Sequence, residues 1–458
     1  MGYASKLDGT VPMIGDSSAV QYLNFELDSI SNDYLLYRTS NGVKGIDVEN
    51  PSIVYPDAGV AIFKNDWENE EPIYLNFVNR YHSVAHKHAD DLSFVLSYGQ
   101  TDFLVDGGKY NYVESDPYRM FIRSTLAHNT ITVDNQSYAI NDSSDFGNPK
   151  ITNHYIGSDF NLVEATHSLY DGVKIFRTII FFTDGAILIN DRVESLDNHY
   201  YTQVFNIGTD VDLLESEISG AQLSSKLEDK RINIKQLKNV DNYSEFYGST
   251  GPINGWQSSS LNEMNPINSL HFSQFGSTLE FQTAINIQTS IIDAQRTGVN
   301  NEVTFEIEFT NGSKRIIKLN DFDNDGVTND LDLCDGFDDG IDLDNDGIPD
   351  GCEHIVDFDR DGVAHRSDFC PNTIFGSIVN NVGCSTSQLD TDGDEVTDNL
   401  DLCPNTNNHS IIDSDGCIVE DIKSAPASSM DSIYVYGISI IITFIGLISI
   451  FYFKSRNT

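Results

Sequence analysis

The first 333 residues contain no cysteine, and the whole chain holds two tryptophans and 27 lysines and arginines against 70 aspartates and glutamates. Each shortage excludes something. Without cysteine, most of the chain can hold neither a disulfide scaffold nor a thiolate metal site. At a formal net charge of −43, the surface lacks the basic patch that phosphate contacts demand, so no nucleic-acid partner is expected. The N-terminus, MGYASKLDGTVPMIGDSS, has no charged segment followed by an apolar run, so a secretory signal peptide is not expected. Long charge-free apolar runs are missing until the very end. There, Ile433–Phe453 gives 21 residues without a formal charge, enough to span a bilayer as one helix. Lys454 and Arg456 follow, placing the tail, residues 454–458, in the cytoplasm.

What is present divides the chain. Its 458 residues suit two or three domains. With 39% hydrophobic residues it can bury a core, which excludes a wholly disordered chain. Residues 321–423 carry 27 acidic against 3 basic residues, and all six cysteines lie between Cys334 and Cys417. An even count confined to one acidic segment indicates local disulfides in an oxidising compartment. The bulk of the chain is therefore expected outside the cytoplasm, in the periplasm or at the cell surface, anchored by the terminal helix. That arrangement requires export without a visible signal. Met1 is accordingly expected not to be the natural start, and the chain to be the C-terminal part of a longer exported protein.

Residues 1–50 are mixed, with a short helix and the turn-rich SNGVKG. From about Ile53 the pattern is β. IYLNFVNRY, DLSFVLSYG, TDFLVDGG, HNTITVDN, GVKIFRTIIFF, GAILINDRVES and YYTQVFNIG are apolar or alternating runs bounded by Gly, Asn and Asp. Thr183-Asp184-Gly185 and Asn311-Gly312 each sit between two runs as hairpin turns. The expected fold class is mainly β, an antiparallel β-sandwich over residues 51–320. The polar stretch 215–270 reads as loops. After the sandwich come acidic repeats over 321–417, a small-residue linker over 418–432, and the membrane helix.

The acidic repeats share one frame. DFDNDGVTNDLD offers Asp321, Asp323, Asp325 and Asp332. DLDNDGIPDGCE offers Asp342, Asp344, Asp346 and Glu353. DFDRDGVAHRSD offers Asp357, Asp359, Asp361 and Asp368. DTDGDEVTDNLD offers Asp390, Asp392, Asp394 and Asp401. Ca²⁺ takes six to eight oxygens in a flexible cage, which alternate carboxylates on a tight turn plus a late acid supply. An acidic solvated linker explains one such segment but poorly explains four in register. The fourth repeat has Glu395 where the others have Gly, so its loop is expected to be strained or weaker. CPNTIFGSIVNNVGC and CPNTNNHSIIDSDGC have equal cysteine spacing and suggest two equivalent loops, Cys370–Cys384 and Cys403–Cys417, leaving Cys334 with Cys352. Six cysteines allow 15 pairings, so that connectivity is a guess. The CxxC spacing of most zinc modules is absent. The segment resembles thrombospondin type 3 repeats, which implies a calcium-packed rod used as a spacer or stalk.

The densest chemistry lies in residues 81–135, which hold four of the eleven histidines. His86 and His88 are two apart and would face one way on a strand. Asp106 ends the next strand and His128 precedes the strand TITVD. His88, Asp106 and His128 can thus converge as a zinc set. Each histidine taken alone is more often a hydrogen-bonded core or surface group. HKHADDLSFVLSYGQTDFLVDGG followed by RSTLAHNTITVD resembles the C-terminal β-domain of the heparinase II/III family of polysaccharide lyases. In that family an N-terminal α/α-toroid joins an antiparallel β-sandwich, with the active site between them. Residues 1–20 resemble the end of the toroid. The resemblance implies a structural zinc on His88, Asp106 and His128. It places His86 in the substrate cleft and a proton-transferring tyrosine at Tyr112, before Tyr110. It lets Arg123 meet an acidic sugar or brace its loop. Lys87, Lys109 and Arg119 are further local cations for an anionic substrate.

Lyases of this kind remove the C5 proton of a uronate and expel the C4 oxygen. The toroid residues of the family have no counterpart here, so this chain holds half an active site and little activity is expected of it alone. Two functions compete. One is the C-terminal part of a membrane-anchored lyase for acidic polysaccharide, with its toroid in cis. The other is a non-catalytic carbohydrate-binding or adhesion protein on a calcium-stabilised stalk.

Overall fold

A computed structural model describes residues 6, 10–17, 20–21, 51–65, 72–298, 302–322 and 327–329, then 341, 349, 359, 361–363, 367–370, 372–374, 376–406 and 412–418. The chain divides into two compact units, Met1–Gly351 and Cys352–Thr458.

The first unit is built from antiparallel sheets. A five-stranded meander runs Ile53–Tyr55, Val60–Lys64, Ile73–Val78, Ser93–Tyr98 and Thr101–Leu104. A ten-stranded sheet has the spatial order 211–217, 220–225, 231–236, 268–286, 186–206, 173–182, 160–170, 150–156, with 242–247 and 131–133 joined beside it. A three-stranded sheet follows, Ile291–Thr297, Thr304–Phe309 and Lys314–Lys318. Phe63, Phe77 and Phe94 of the meander share one core with Val163, Ile175, Phe181 and Ile187 of the large sheet. Leu162, Ile180, Phe182 and Leu188 share a second core with Phe305 and Ile307 of the small sheet. The large sheet is thus covered on both faces.

The sequence shows why. A strand covered on one face alternates, and one covered on both does not. Val173–Phe182 does each in turn: Val173 and Ile175 are buried around an exposed Lys174, whereas Thr178–Phe182 is buried throughout. Ile179 and Phe181 enter the first core while Ile180 and Phe182 enter the second. The turns at 183–185 and 311–312 form as the sequence indicates, with Gly185 at φ 91° and Gly312 at φ 81°.

Three expectations need correction. GAILINDRVES and YYTQVFNIG are one strand, Ala186–Asn206, whose register against 268–286 jumps between Glu194 and His199. This bulge leaves Leu196 almost fully exposed. The stretch 215–270 is largely strand, not loop: Val211–Glu217, Gly220–Ser225, Arg231–Gln236 and Asn242–Tyr247 extend the large sheet. Their inward residues are few, as with Ile232 and Ile234 between outward Arg231, Asn233 and Lys235, so the apolar signal is short. Finally, His86 and His88 are not on a strand. The segment between Val78 and Ser93 is irregular, with His86 at φ 58°. The left-handed residue breaks the period of two, so His86 is exposed and His88 buried.

In the second unit, two segments repeat with a shift of 33 residues. The disulfides Cys370–Cys384 and Cys403–Cys417 form as the spacing indicates. Thr373 N donates to Asp359 Oδ2 and Thr406 N to Asp392 Oδ2, each at 2.5 Å. The bridges Val379–Ser385 and Ile412–Ile418 correspond in the same way. Cys334, Cys352, the SNGVKG turn and the apolar stretch 433–453 lie outside the described residues. Among the described residues, no helix is long and apolar enough to cross a membrane.

Candidate functional site

The histidine-bearing loops are fastened to the sandwich by buried polar groups. Asn129 donates through Nδ2 to Phe94 O at 2.7 Å and Val105 O at 3.1 Å, and its Oδ1 accepts from Asn206 N at 2.6 Å. Behind it, Arg177 is fully buried and bidentate on Asp191, at 2.6 and 2.7 Å. Its Nη1 donates to Leu92 O and Asn129 O, both at 2.6 Å. The chain just beyond His88 and the chain just beyond His128 are thus held by one guanidinium. Gln203 Nε2 supplies a further bond to Asp191 Oδ2 at 2.9 Å.

On this base the rings of His88 and His128 lie 5.5 Å apart. Asp106 Oδ2 is 3.0 Å from His128 Nδ1, and its Oδ1 accepts from Gly108 N at 2.9 Å. Both nitrogens of His88 and Nε2 of His128 are buried without a hydrogen-bond partner. Burying unpaired polar atoms is costly, so these nitrogens suit a metal ion, and a carboxylate on the opposite nitrogen is the usual support of a metal-bound imidazole. The donor atoms of His88, Asp106 and His128 do not all come within 4.8 Å of one another. Burial pushes the His88 imidazole toward its neutral form, against the pull of Asp16. Burial acts likewise and most strongly on His128, but the charge and hydrogen bond of Asp106, joined by the charge of Asp90, together outweigh it and raise that imidazole.

Asp16 is the residue that sequence reasoning missed. Its side chain is almost fully buried and collects three partners. His86 Nδ1 lies 2.5 Å from Oδ2, Arg119 Nη1 donates to Oδ1 at 2.8 Å, and His88 Nε2 stands at 3.7 Å, outside hydrogen-bond reach. Burial would raise this carboxyl, but these partners hold it well below the usual carboxylate range. Its one sequence signal is a carboxylate between Gly15 and Ser17, ahead of the β pattern by some tens of residues.

The structure brings His86 and Tyr112 together, their rings edge to face at 5.9 Å, with the Arg119 guanidinium 5.4 Å from the Tyr112 ring. Both side chains reach solvent. Tyr110 turns elsewhere: at φ 54° it packs by Tyr118 and the small cluster containing Phe121 and Trp256. Arg123 pairs with Glu114 and donates to Lys87 O at 3.3 Å, so it braces its loop. Lys87 is buried between Asp90 and Asp91, at 2.8 and 2.7 Å.

In the acidic repeats, Asp359, Asp361 and Asp368 form one carboxylate group and Asp390, Asp392 and Asp394 another. Asp359 Oδ1, Asp392 Oδ1 and Asp394 Oδ2 are buried without partners. A Cβ at Gly383 would overlap Asp368, and one at Gly416 would overlap Asp401. Glycine therefore lets the backbone close over the carboxylates. Asp321 instead pairs with Lys318 at 2.8 Å, and Phe322 joins the second core, so the sandwich runs two residues past its expected end. Asp323, Asp325, Asp332, Asp342, Asp344, Asp346, Glu353 and Asp357 lie outside the described residues.

An antiparallel β-sandwich with a buried histidine cluster, followed by acidic disulfide-bonded repeats, defines a modular β protein. Residues 47–310 match the heparinase II/III-like C-terminal family model, and residues 341–374 and 382–410 match the thrombospondin type 3 repeat. The chain belongs to the heparinase II/III-like family, of which it carries the C-terminal domain. It is 25% identical over 215 residues to an exo-oligoalginate lyase of Saccharophagus degradans, covering 43% of this chain and 28% of that protein. Its fold is similar to a heparinase III (TM-score 0.59, 15% identity, 69% of this chain and 50% of that one). It is equally similar to the heparan sulfate lyase HepC from Pedobacter heparinus (TM-score 0.59, 17% identity, 69% and 51%). The chain therefore spans about half the length of these solved relatives.

Proposed function

We propose that this chain is the C-terminal part of a membrane-anchored lyase that cleaves uronate-containing polysaccharide by β-elimination. The observation that carries the reading is the His86–Tyr112 pair, set edge to face at 5.9 Å, with His86 Nδ1 held by buried Asp16. A carboxylate at Nδ1 fixes the proton on that nitrogen and leaves Nε2 as the acceptor. The elimination breaks C5–H and C4–O and forms the C4=C5 double bond. The histidine and the phenol are suited to take the C5 proton and to protonate the departing oxygen.

Zinc is the metal that the buried nitrogens of His88 and His128, with Asp106, would hold. Bound there, it would tie the loop of His88 to the loop of His128. Calcium is the ion that the carboxylate groups of the repeats would hold, making the second unit a spacer. The stretch 433–453 supplies the anchor, with the sandwich and repeats outside the cytoplasm. The other wall of the cleft belongs to a helical toroid in cis, so the chain alone turns over little or no polymer.

The test joins a toroid to this chain and follows the ultraviolet absorbance of unsaturated uronate on a panel of acidic polysaccharides. His86→Ala and Tyr112→Phe should each abolish product while leaving thermal stability and zinc content nearly unchanged. Full activity in both variants would refute the assignment. No product from any uronate polymer would hand the domain to the carbohydrate-binding reading.

A further inference from the structure

We infer that Arg80 receives the carboxylate of the bound sugar on the sandwich side of the cleft. This rests on the lyase reading above. A cavity of about 370 Å³ opens beside the histidine cluster, lined among others by Asp16, Arg80, His82, His86 and His88. A uronate entering it needs a cation, in a chain of net charge −43. Three of the nearby cations are already engaged. Lys87 lies between Asp90 and Asp91, Arg119 bonds Asp16 and Lys109 O, and Arg123 bonds Glu114 and Lys87 O. Lys109 does not line this cavity.

Arg80 does line it, is exposed, and among the described residues has no hydrogen-bond or ion-pair partner for its guanidinium. An unpaired arginine in so acidic a chain is a selective arrangement. Its backbone is also fixed on both sides. Asn79 is 1% exposed and donates through Nδ2 to Lys150 O and Thr166 O, at 3.0 and 3.1 Å. Tyr81 is fully buried and its hydroxyl accepts from Asp142 N at 3.1 Å. Gly59 packs so closely under this segment that a Cβ there would meet Arg80 Cβ at 3.0 Å. The guanidinium is thus presented from a rigid base, and its planar fork matches a carboxylate in a bidentate fashion.

The test measures binding of a short oligoalginate and of its carboxyl-reduced counterpart to the full chain by calorimetry. Arg80→Gln should weaken oligoalginate binding by roughly tenfold or more, the scale of a charge-assisted hydrogen bond. It should leave the carboxyl-reduced sugar and the thermal midpoint unchanged. Arg80→Lys should recover only part, because an ammonium keeps the charge but not the fork. Unchanged oligoalginate binding in Arg80→Gln would overturn the inference, as would equal loss for both sugars. Wild-type protein that binds neither sugar would overturn the inference, while the lyase reading stands or falls on product formation by the toroid-joined protein. Selective loss in Arg80→Gln, with no unsaturated product from the toroid-joined protein, would uphold Arg80 while refuting the lyase.

Discussion

Replacing Arg177 by Met should be among the most damaging single changes to the sandwich. The side chain is fully buried, so its loss leaves Asp191 as a buried charge with one remaining side-chain donor, Gln203. Stranding one partner of a buried ion pair costs about 3–5 kcal/mol. The carbonyls of Leu92 and Asn129 lose their donor as well, at about 1 kcal/mol each. Against the roughly 5–15 kcal/mol that hold a domain folded, Arg177→Met removes a large share. Urea titration followed by circular dichroism should show the midpoint collapse. The double variant Arg177→Met/Asp191→Leu removes the stranded charge and should regain much of the loss, short by the two carbonyls and by the buried Gln203 amide, which loses its acceptor. Zinc content should stay low in both, because the guanidinium that joins the chain after His88 to the chain after His128 is gone from both. A single variant within about 1 kcal/mol of wild type, or a double variant no better than the single, would refute the argument.

Two further predictions follow from backbone and burial. Glu395 sits at φ 75°, where the preceding repeat has Gly362 at φ 95°. A left-handed non-glycine residue costs about 1–2 kcal/mol, partly offset by the entropy of glycine. Glu395→Gly should therefore tighten calcium binding by the 390–401 loop roughly fivefold and Gly362→Glu should weaken the 357–368 loop similarly; equal affinities on calcium titration would count against this. His167 and His271 are buried, and burial lowers their imidazoles to about 3 and about 4. Both stay neutral when folded while the unfolded chain takes up protons below about 6.5. Stability should thus be complete above about pH 6.5 and fall as pH drops toward about 4. His271→Gln should flatten that slope in urea midpoints measured across pH, and an unchanged slope would remove His271 as a cause.

The sandwich was legible because its strands are apolar or alternating runs bounded by turn residues. The run GVKIFRTIIFF reads as a strand bounded by the turn at Gly185, but that its last five residues are buried throughout, between two cores, is shown only by the structure. The strands from Val211 to Tyr247 were not legible, because each has too few inward apolar residues to show a period. The site divided in the same way. His88, Asp106 and His128 lie near one another, and Tyr112 rather than Tyr110 faces His86. The shared strand face of His86 and His88 did not exist, because no pattern announces a left-handed histidine. Asp16 and Arg177 escaped for a different reason. Their roles depend on partners 70 and 14 residues away, and a lone charge in sequence carries no sign of what will bury it. The regular aspartates of the repeats were the opposite case, since a frame of twelve residues announces itself wherever it recurs.

Among the described residues of the second unit, each disulfide closes inside its own 33-residue segment, and neither crosses to the next. Length there is consequently quantised. Excising residues 357–389 would carry the preceding chain straight into Asp390 in the same frame, removing Cys370 and Cys384 together and leaving Cys403–Cys417 intact. Duplicating the segment would lengthen the unit without creating a mispaired thiol. Such a stretch can grow or shrink by recombination between its own copies, so its reach is free to change without any change in the sandwich that precedes it.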